Sequence, residues 1–238
     1  MDSLINVIWL GIIEGITEFL PISSTGHLLI AQHWLGHRSD LFNVGIQAGA
    51  MLAVVLIYRE RLWSLCRRVR ETEHRDYLLK LTLAFVITCV GGFIAKKLGL
   101  ELPDTVAPVA IALIVGGFAI LLIERIAERR PPSEQLTWKI AIAVGLAQIL
   151  AAVFPGTSRS AATIFAAMLA GMGSRPHATE FAFLVGIPTM FAASAYEFLK
   201  LAQTPALAQE NWTEFWIGFA VSALTAFIAV KWLLHYIQ

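Results

Sequence analysis

Two short polar clusters contain the residue types in this chain that could handle a phosphate group. The first runs from Glu14 to His27 and carries two carboxylates, adjacent hydroxyls at 23–25 and an imidazole. The second, at 155–160, holds the guanidinium of Arg159 among threonine and serine hydroxyls. Both clusters interrupt strongly apolar sequence, where a charged side chain costs about 2.5–3.5 kcal/mol on membrane-insertion scales. We therefore interpret both clusters as functional.

The carboxylates of Glu14 and Glu18 are four residues apart, which places them one turn from each other on one face of a helix. Two carboxylates at that spacing repel each other unless a cation or a proton lies between them. Three interpretations stay open: a divalent metal site, a pair tuned for acid–base catalysis, or an ordinary pair that faces water. Carboxylate oxygens favour Mg²⁺ or Ca²⁺, and phosphate oxygens or water would have to complete such a site.

The hydroxyls of Ser23, Ser24 and Thr25 follow Pro21, where one helix is expected to break and another to begin. Such hydroxyls can simply cap the new helix, but a helix N-terminus is also an anion-binding site. His27 shares a helical face with Ser23 or Ser24, so a nucleophile–base pair is geometrically possible. The alternative is that His27 is an ordinary packing residue.

In the second cluster, Pro155 and Gly156 break the helix, and Thr157 or Ser158 can cap the next one. Arg159 then lies in the first turn of that helix, where the helix dipole disfavours a cation unless an anion is bound beside it. A guanidinium binds phosphate through two parallel hydrogen bonds. The alternative is that the Arg159 side chain extends to the membrane interface.

The composition predicts that the chain is an all-α polytopic membrane protein, whose helices position these clusters. Of the 238 residues, 57% are hydrophobic and 15% are charged, against about 25% charged residues in an ordinary soluble domain. The net charge of +1 gives no support to nucleic-acid binding. Four or five segments are long and apolar enough to span a bilayer, namely 42–58, 77–97, 106–124, 178–200 and 213–236.

Residues 4–35 and 139–172 are also hydrophobic, but Pro21 and the Pro155-Gly156 pair interrupt them midway. Broken helices are tolerated at membrane depth only where protein or a water-filled cavity surrounds them. We therefore predict two re-entrant helix–loop–helix hairpins, one in each of these regions.

The two interrupted regions also resemble each other in sequence. A shift of 134 residues aligns Gly11 with Gly145, Glu14 with Gln148, Pro21 with Pro155, Ser23 with Thr157 and Ser24 with Ser158. The basic segments 59–75 and 125–139 should be cytoplasmic, which makes the two hairpins enter from opposite sides. We therefore predict a single membrane domain, 1–238, with inverted repeats of about 1–124 and 137–238 and a site where the breaks meet.

Other polar and small residues are interpreted as structural. The row Gly45, Gly49 and Ala53 and the pair Gly116-Gly117 are typical of close helix packing. Gln47 and Gln148 are interpreted as hydrogen-bonding groups between helices.

At the two clusters the chain resembles the undecaprenyl-diphosphate phosphatase family of the bacitracin-resistance type. The resemblance rests on the pattern EGxTEFLPxSSTGH at 14–27 and PGxSRSxxTI at 155–164, with further segments at 42–61 and 180–188. It implies an integral membrane enzyme that removes the terminal phosphate from undecaprenyl diphosphate. That reaction recycles the lipid carrier for cell-wall synthesis and confers bacitracin resistance.

The resemblance also implies a homodimer in the bacterial cytoplasmic (inner) membrane, dependence on a divalent cation, and an active site open to the outer side. Carried over to this chain, it implies functional positions at Glu14, Glu18, Ser23, Ser24, His27 and Arg159, with Thr25, Ser158 and Ser160 as neighbours. We expect Glu14, Glu18, Ser24, His27 and Arg159 to be catalytic, with Glu14 and Glu18 as ligands of Mg²⁺ or Ca²⁺, and we expect substrate binding by Ser23, Thr25, Thr157, Ser158 and Ser160. Family members commonly continue into a further C-terminal span, so we expect a second repeat without its final helix.

Two mechanisms and two other functions stay open. Either Ser24 attacks the terminal phosphate with His27 as base or acid, or an activated water attacks directly. A polyprenyl-phosphate transporter or flippase would use the same pocket. An acid-phosphatase-like lipid phosphatase would need a second histidine with a downstream aspartate, which His177 and Glu180 match poorly.

Overall fold

The computed structural model describes residues 2–100, 105–127, 133–204 and 206–237, and the regular elements within these ranges are α-helices. In chain order they are α1 (Asp2–Thr17), α2 (Ser24–Leu35), α3 (Asp40–Ile57), α4 (Arg59–Arg67), α5 (Thr72–Lys97), α6 (Val106–Ala127), α7 (Trp138–Val153), α8 (Arg159–Leu169), α9 (Arg175–Leu201), α10 (Ala206–Gln209) and α11 (Trp212–Ile237). The predicted basic segment 125–139 lies partly outside the described residues, as do the outer ends of the predicted repeats.

Five of these helices, α3, α5, α6, α9 and α11, are long and apolar enough to cross a membrane. They match the predicted spans to within a few residues, so the all-α polytopic class is confirmed. The basic segment 59–75, which joins two predicted spans, is largely helical, because α4 occupies Arg59–Arg67 and α5 begins earlier than expected, at Thr72. Leu65, which is 1% exposed, anchors this basic helix to the rest of the protein.

Both interrupted regions form two helices separated by a short break. The first break lies between Thr17 and Ser24, and the second lies between Val153 and Arg159. In each region the two helices pack against each other, α1 on α2 and α7 on α8. Each break contains a proline, which favours a break because proline has no N–H to donate to the helical hydrogen bond. That each hairpin enters and leaves by one face of the bilayer stays a prediction.

The contacts of the broken helices repeat at the same shift of 134 residues that aligns their sequences. A Cβ atom added to Gly11 of α1 would lie 2.9 Å from the carbonyl oxygen of Gly218 in α11. A Cβ atom added to Gly145 of α7 would lie 2.9 Å from the carbonyl oxygen of Ala84 in α5. Each broken helix thus packs closely on a long helix from the other half of the chain.

The small residues of α3 pack as predicted, whereas those of α6 do not. A Cβ atom added to Gly49 would lie only 2.4 Å from the carbonyl oxygen of Phe219 in α11, so these two helices approach closely. Added Cβ atoms at Gly116 and Gly117 would meet no described atom within 4 Å, so the close packing predicted for that pair is not made with any described helix of the same chain. Instead, α6 contacts α2 and α8, which are the helices that follow the two breaks.

Candidate active site

The two breaks meet, and the residues around them line one cavity of about 350 Å³, counting the space at its mouth. We call it the hydroxyl cavity, and it is lined by Glu18, Ser23, Ser24, Thr25, Gln47, Ala151, Thr157, Ser158 and Arg159. The buried hydroxyl of Ser160 donates to the carbonyl oxygen of Leu20 over 3.0 Å. This hydrogen bond ties the second break directly to the first.

A short hydrogen bond joins Ser24 to Glu18 inside the hydroxyl cavity. Ser24 Oγ donates to Glu18 Oε2 over 2.5 Å, a length typical of a hydroxyl bonded to a carboxylate. Glu18 follows the last residue of α1, but its N–H still bonds the carbonyl oxygen of Glu14 over 3.0 Å, which keeps it in a helical turn. The pair has the geometry of a nucleophile beside its proton acceptor.

The backbone of Ser23 allows Ser24 to face Glu18. Ser23 has a φ of 67°, and it is the one non-glycine residue with positive φ in the described part of the chain. Its hydroxyl caps α2 by accepting from the N–H of Gly26 over 3.4 Å, so the hydroxyl of Ser24 is not needed for capping. Such a backbone conformation costs about 1–3 kcal/mol and is typical of functional sites.

Arg159 reaches the hydroxyl cavity from the first turn of α8. Its Nη1 lies 3.9 Å from Glu18 Oε1. The residue before it, Ser158, caps α8 by accepting from the N–H of Ala161 over 3.3 Å. A guanidinium and the N-terminal ends of α2 and α8 therefore border the same space, and this combination is suited to binding a phosphate.

In the structure, the ring of His27 bonds the backbone of the first break. Its Nδ1 donates to the carbonyl oxygen of Ser23 over 2.8 Å, and the residue does not line the hydroxyl cavity. The hydroxyl of Ser24 is bonded to Glu18, so the structure does not show the predicted bond between Ser24 and His27. The Nδ1 atom of His27 holds the strained backbone of Ser23, and a catalytic role for His27 stays a prediction.

Glu14 and Ser160 are the other predicted site residues that do not line the hydroxyl cavity. Glu14 lies one turn before Glu18 on α1 and is 1% exposed, and Ser160 is occupied by its bond to Leu20. The remaining predicted residues, Glu18, Ser23, Ser24, Thr25, Thr157, Ser158 and Arg159, are brought together.

Sequence reasoning misses Gln47 as a site residue, because it interprets this residue as a link between helices. Gln47 lies in the middle of α3 and lines the hydroxyl cavity opposite the two breaks. Gln47 could have been identified as a lone amide in a long apolar span, because polar groups at membrane depth are costly and usually functional. Ala151, which also lines the cavity, carries no such signal.

The two carboxylates fit part of a divalent cation site. The Oε2 atom of Glu14 is buried without a hydrogen-bond partner among the described residues, and such an oxygen needs a cation or a proton beside it. Within the same residues, no group of three or more His, Cys, Asp or Glu side chains could hold a metal ion. The predicted Mg²⁺ or Ca²⁺ therefore needs phosphate or water oxygens as further ligands, and it stays a prediction.

Comparison with known proteins gives a match over nearly the whole chain. The family model described as bacitracin resistance protein BacA matches residues 7–238. An undecaprenyl-diphosphatase of Rhizobium etli is 62% identical over 234 residues, which cover 98% of this chain and 88% of the relative. Proteins of the same name from Xanthomonas euvesicatoria and Xylella fastidiosa are each 55% identical over 238 residues, which cover 100% of this chain and 90% and 91% of those relatives. The matched range includes every residue of the hydroxyl cavity.

Proposed function

Since the chain belongs to the BacA family of bacitracin resistance proteins, we propose that it hydrolyses undecaprenyl diphosphate to undecaprenyl phosphate and inorganic phosphate. The observation that carries this proposal is the hydroxyl cavity, in which the Ser24–Glu18 pair lies beside Arg159. Cleavage of a phosphoric anhydride needs a nucleophile, a proton acceptor and positive charge at the phosphoryl oxygens. The reaction recycles the lipid carrier for cell-wall synthesis and confers bacitracin resistance.

The terminal phosphate of the substrate binds between the two breaks. Arg159 and the N-terminal ends of α2 and α8 stabilise its negative charge. The hydroxyls of Thr25 and Thr157 line the same space and can donate to its oxygens. Gln47 borders the cavity from α3 and adds an amide donor to this set.

Ser24 attacks the terminal phosphorus while Glu18 Oε2 accepts its proton over the observed hydrogen bond. The bond from that phosphorus to the bridging oxygen breaks, and undecaprenyl phosphate leaves with the proton that Glu18 has passed on. Water then attacks the phosphoserine, Glu18 accepts the proton of the water, and inorganic phosphate leaves as Ser24 Oγ regains a proton. His27 takes no part in proton transfer and keeps Ser23 in its strained conformation.

A divalent cation, Mg²⁺ or Ca²⁺, would be held by Glu14 and by Glu18 Oε1. When bound, it neutralises charge on the phosphoryl oxygens. The buried Oε2 of Glu14, which has no hydrogen-bond partner among the described residues, supports this assignment, because such an oxygen needs a cation or a proton beside it.

Phosphate release from undecaprenyl diphosphate by the purified protein in detergent tests the proposal. Glu18→Gln keeps the shape of the side chain but removes the proton acceptor, and we expect a loss of about 100-fold to 10,000-fold. Glu124→Gln is the matched control, because Glu124 pairs with Arg175 on the surface, away from the cavity, and it should retain activity. A wild-type protein that releases no phosphate would contradict hydrolysis and favour the alternative flippase, since detergent micelles have no second side to transport to.

The spanning helices make this a multi-pass membrane protein, and we place it in the bacterial cytoplasmic membrane with the hydroxyl cavity open to the outer side. We also propose a homodimer. The exposed hydrophobic side chains of α6, with Phe118 at 71% and Ile111 at 62%, face either lipid or a second copy of the chain, and we propose this surface as the dimer interface. Cross-linking through a cysteine introduced at Phe118 would join two copies if this surface lies at the dimer interface.

A further inference from the structure

A second cavity, of about 330 Å³ counting its opening, shares Glu18 and Arg159 with the hydroxyl cavity. Its wall is mostly apolar, whereas the wall of the hydroxyl cavity is mostly polar. The apolar residues that line it are Phe19, Met51, Ala182, Phe183, Gly186 and Met190. We call this space the apolar chamber, and the Glu18–Arg159 pair marks its junction with the hydroxyl cavity.

Gln148 is the polar group of the apolar chamber that lacks a partner. Its side chain is 3% exposed, and its Nε2 has no hydrogen-bond partner within the described residues. The two hydroxyl groups of the chamber already have acceptors. Thr163 donates to the carbonyl oxygen of Arg159 over 2.8 Å, and Ser160 donates to the carbonyl oxygen of Leu20. A buried unsatisfied donor costs about 1–3 kcal/mol, so a ligand that brings an acceptor would be favoured there.

We propose that the apolar chamber is the subsite for the prenyl end of the substrate. Gln148 Nε2 donates to an oxygen of the phosphate that carries the chain, and the first isoprene unit packs against Met51, Phe183 and Met190. This inference rests on the proposed function. With the terminal phosphate in the hydroxyl cavity, the bond between the two phosphates lies at the junction, beside Glu18 and Arg159.

Gly186 offers a way to fill the apolar chamber without disturbing the hydroxyl cavity. A Cβ atom added to Gly186 would meet only Met51 Cε, at 3.9 Å, so a larger side chain would extend into the chamber. Gly92 of α5 provides a matched control, because an added Cβ there meets no described atom within 4 Å.

The first experiment compares Gly186→Leu with Gly92→Leu, using farnesyl and undecaprenyl diphosphate as substrates and inorganic phosphate as a chain-free inhibitor. We expect the KM of Gly186→Leu for both substrates to rise about tenfold or more, since a leucine takes the place of the isoprene unit. The inhibition constant for phosphate should stay unchanged, and Gly92→Leu should match the wild type. A KM for Gly186→Leu equal to that of Gly92→Leu, or an equal weakening of phosphate inhibition, would overturn the subsite.

Failure of the subsite is distinguishable from failure of the proposed function. A wild-type protein that does not hydrolyse either prenyl diphosphate contradicts the function itself. A wild-type protein that hydrolyses both, with Gly186→Leu unaffected, contradicts only the assignment of the apolar chamber.

Gln148 is tested as a positioning residue by product inhibition. Undecaprenyl phosphate carries only the chain-bearing phosphate, so Gln148→Leu should weaken its inhibition about tenfold while inhibition by inorganic phosphate is kept. Gln148→Glu should weaken it further, because it replaces the donor with an acceptor. Equal effects of Gln148→Leu on both inhibitors would contradict this role.

Photolabelling of the wild-type protein keeps the inference testable even if Gly186→Leu does not fold. The probe is farnesyl diphosphate with a diazirine in its first isoprene unit. Adducts on Met51, Phe183 or Met190 are expected. Adducts confined to exposed residues of α6 would place the chain in lipid and overturn the proposal.

Discussion

The two breaks have a similar construction but different chemistry. Each contains a proline, and in each a serine hydroxyl caps the helix that follows, Ser23 for α2 and Ser158 for α8. In the first break, the positive φ of Ser23 leaves the next hydroxyl, that of Ser24, free to bond Glu18. In the second break, Ser158 itself is the cap, and the residue that the shift of 134 aligns with Glu18 is Ala152.

The two interrupted regions also differ in their charged and polar side chains. The first carries carboxylates, at Glu14 and Glu18, whereas the second has an amide at Gln148 and a guanidinium at Arg159. The proposed mechanism therefore assigns the nucleophile and the proton transfers to the first region and the binding of the anion to the second. Each of the following variants tests this division of labour.

The largest expected contrast is between Ser24→Ala and Ser158→Ala, which remove one hydroxyl from each break. Ser24→Ala should lower kcat by about three orders of magnitude without loss of thermal stability, because it removes the nucleophile. Ser158→Ala should lower the free energy of unfolding by about 1 kcal/mol through loss of a cap, with activity within tenfold of the wild type. Phosphate release and thermal unfolding are measured on both variants. Equal losses of activity in Ser24→Ala and Ser158→Ala would contradict the different roles proposed for the two breaks.

Arg159→Ala is expected to lower kcat/KM by about 100-fold, because it removes a charge-assisted bond to the terminal phosphate. Arg159→Lys should recover little of this loss, since an ammonium group does not reproduce the paired hydrogen bonds of a guanidinium. Full recovery with lysine, in the same kinetic assay, would show that only the charge matters.

His27→Ala should lower kcat by about tenfold, because Ser23 loses the bond that holds its carbonyl oxygen. His27→Asn places an amide near the position of the Nδ1 atom and should recover most of the activity. Were His27 the base of the reaction, the asparagine variant would be as inactive as the alanine variant.

The smallest effect is expected for Ser23→Gly. Glycine adopts a positive φ without strain and costs only about a few tenths of a kcal/mol as a cap, so activity should stay within about threefold. Ser23→Val is the informative contrast, because a β-branched residue resists φ 67° and should disturb the Ser24–Glu18 bond. Equal activity of both variants would show that the backbone of Ser23 does not position Ser24.

Much of the fold follows from the sequence, because length and hydrophobicity decide which segments cross a membrane. The breaks are also predictable, since Pro21 and Pro155 each lie among polar residues in an apolar run, whereas Pro188 is accommodated inside α9. The partner helix of Gly116 and Gly117 is not predictable, because small residues permit close approach of another helix but do not specify which helix approaches.

The residues of the site are largely predictable, but their pairing is not. A polar residue in an apolar run is visible in sequence, which identifies Glu18, Ser24 and Arg159. Helical spacing suggests His27 as the partner of Ser24, but it carries no information on Glu18, which lies before the proline of the break and bonds Ser24 only because of the way the chain turns at Ser23. Such a backbone conformation at a serine has no sequence signal.

The stereochemical course of the reaction at phosphorus tests most directly whether Ser24 is the nucleophile. The substrate for this measurement is undecaprenyl diphosphate with a terminal thiophosphate made chiral by oxygen isotopes. Attack by Ser24 followed by attack of water gives two inversions, so we predict net retention of configuration in the released thiophosphate. Net inversion would mean that water attacks the substrate directly, and it would contradict a nucleophilic role for the first break.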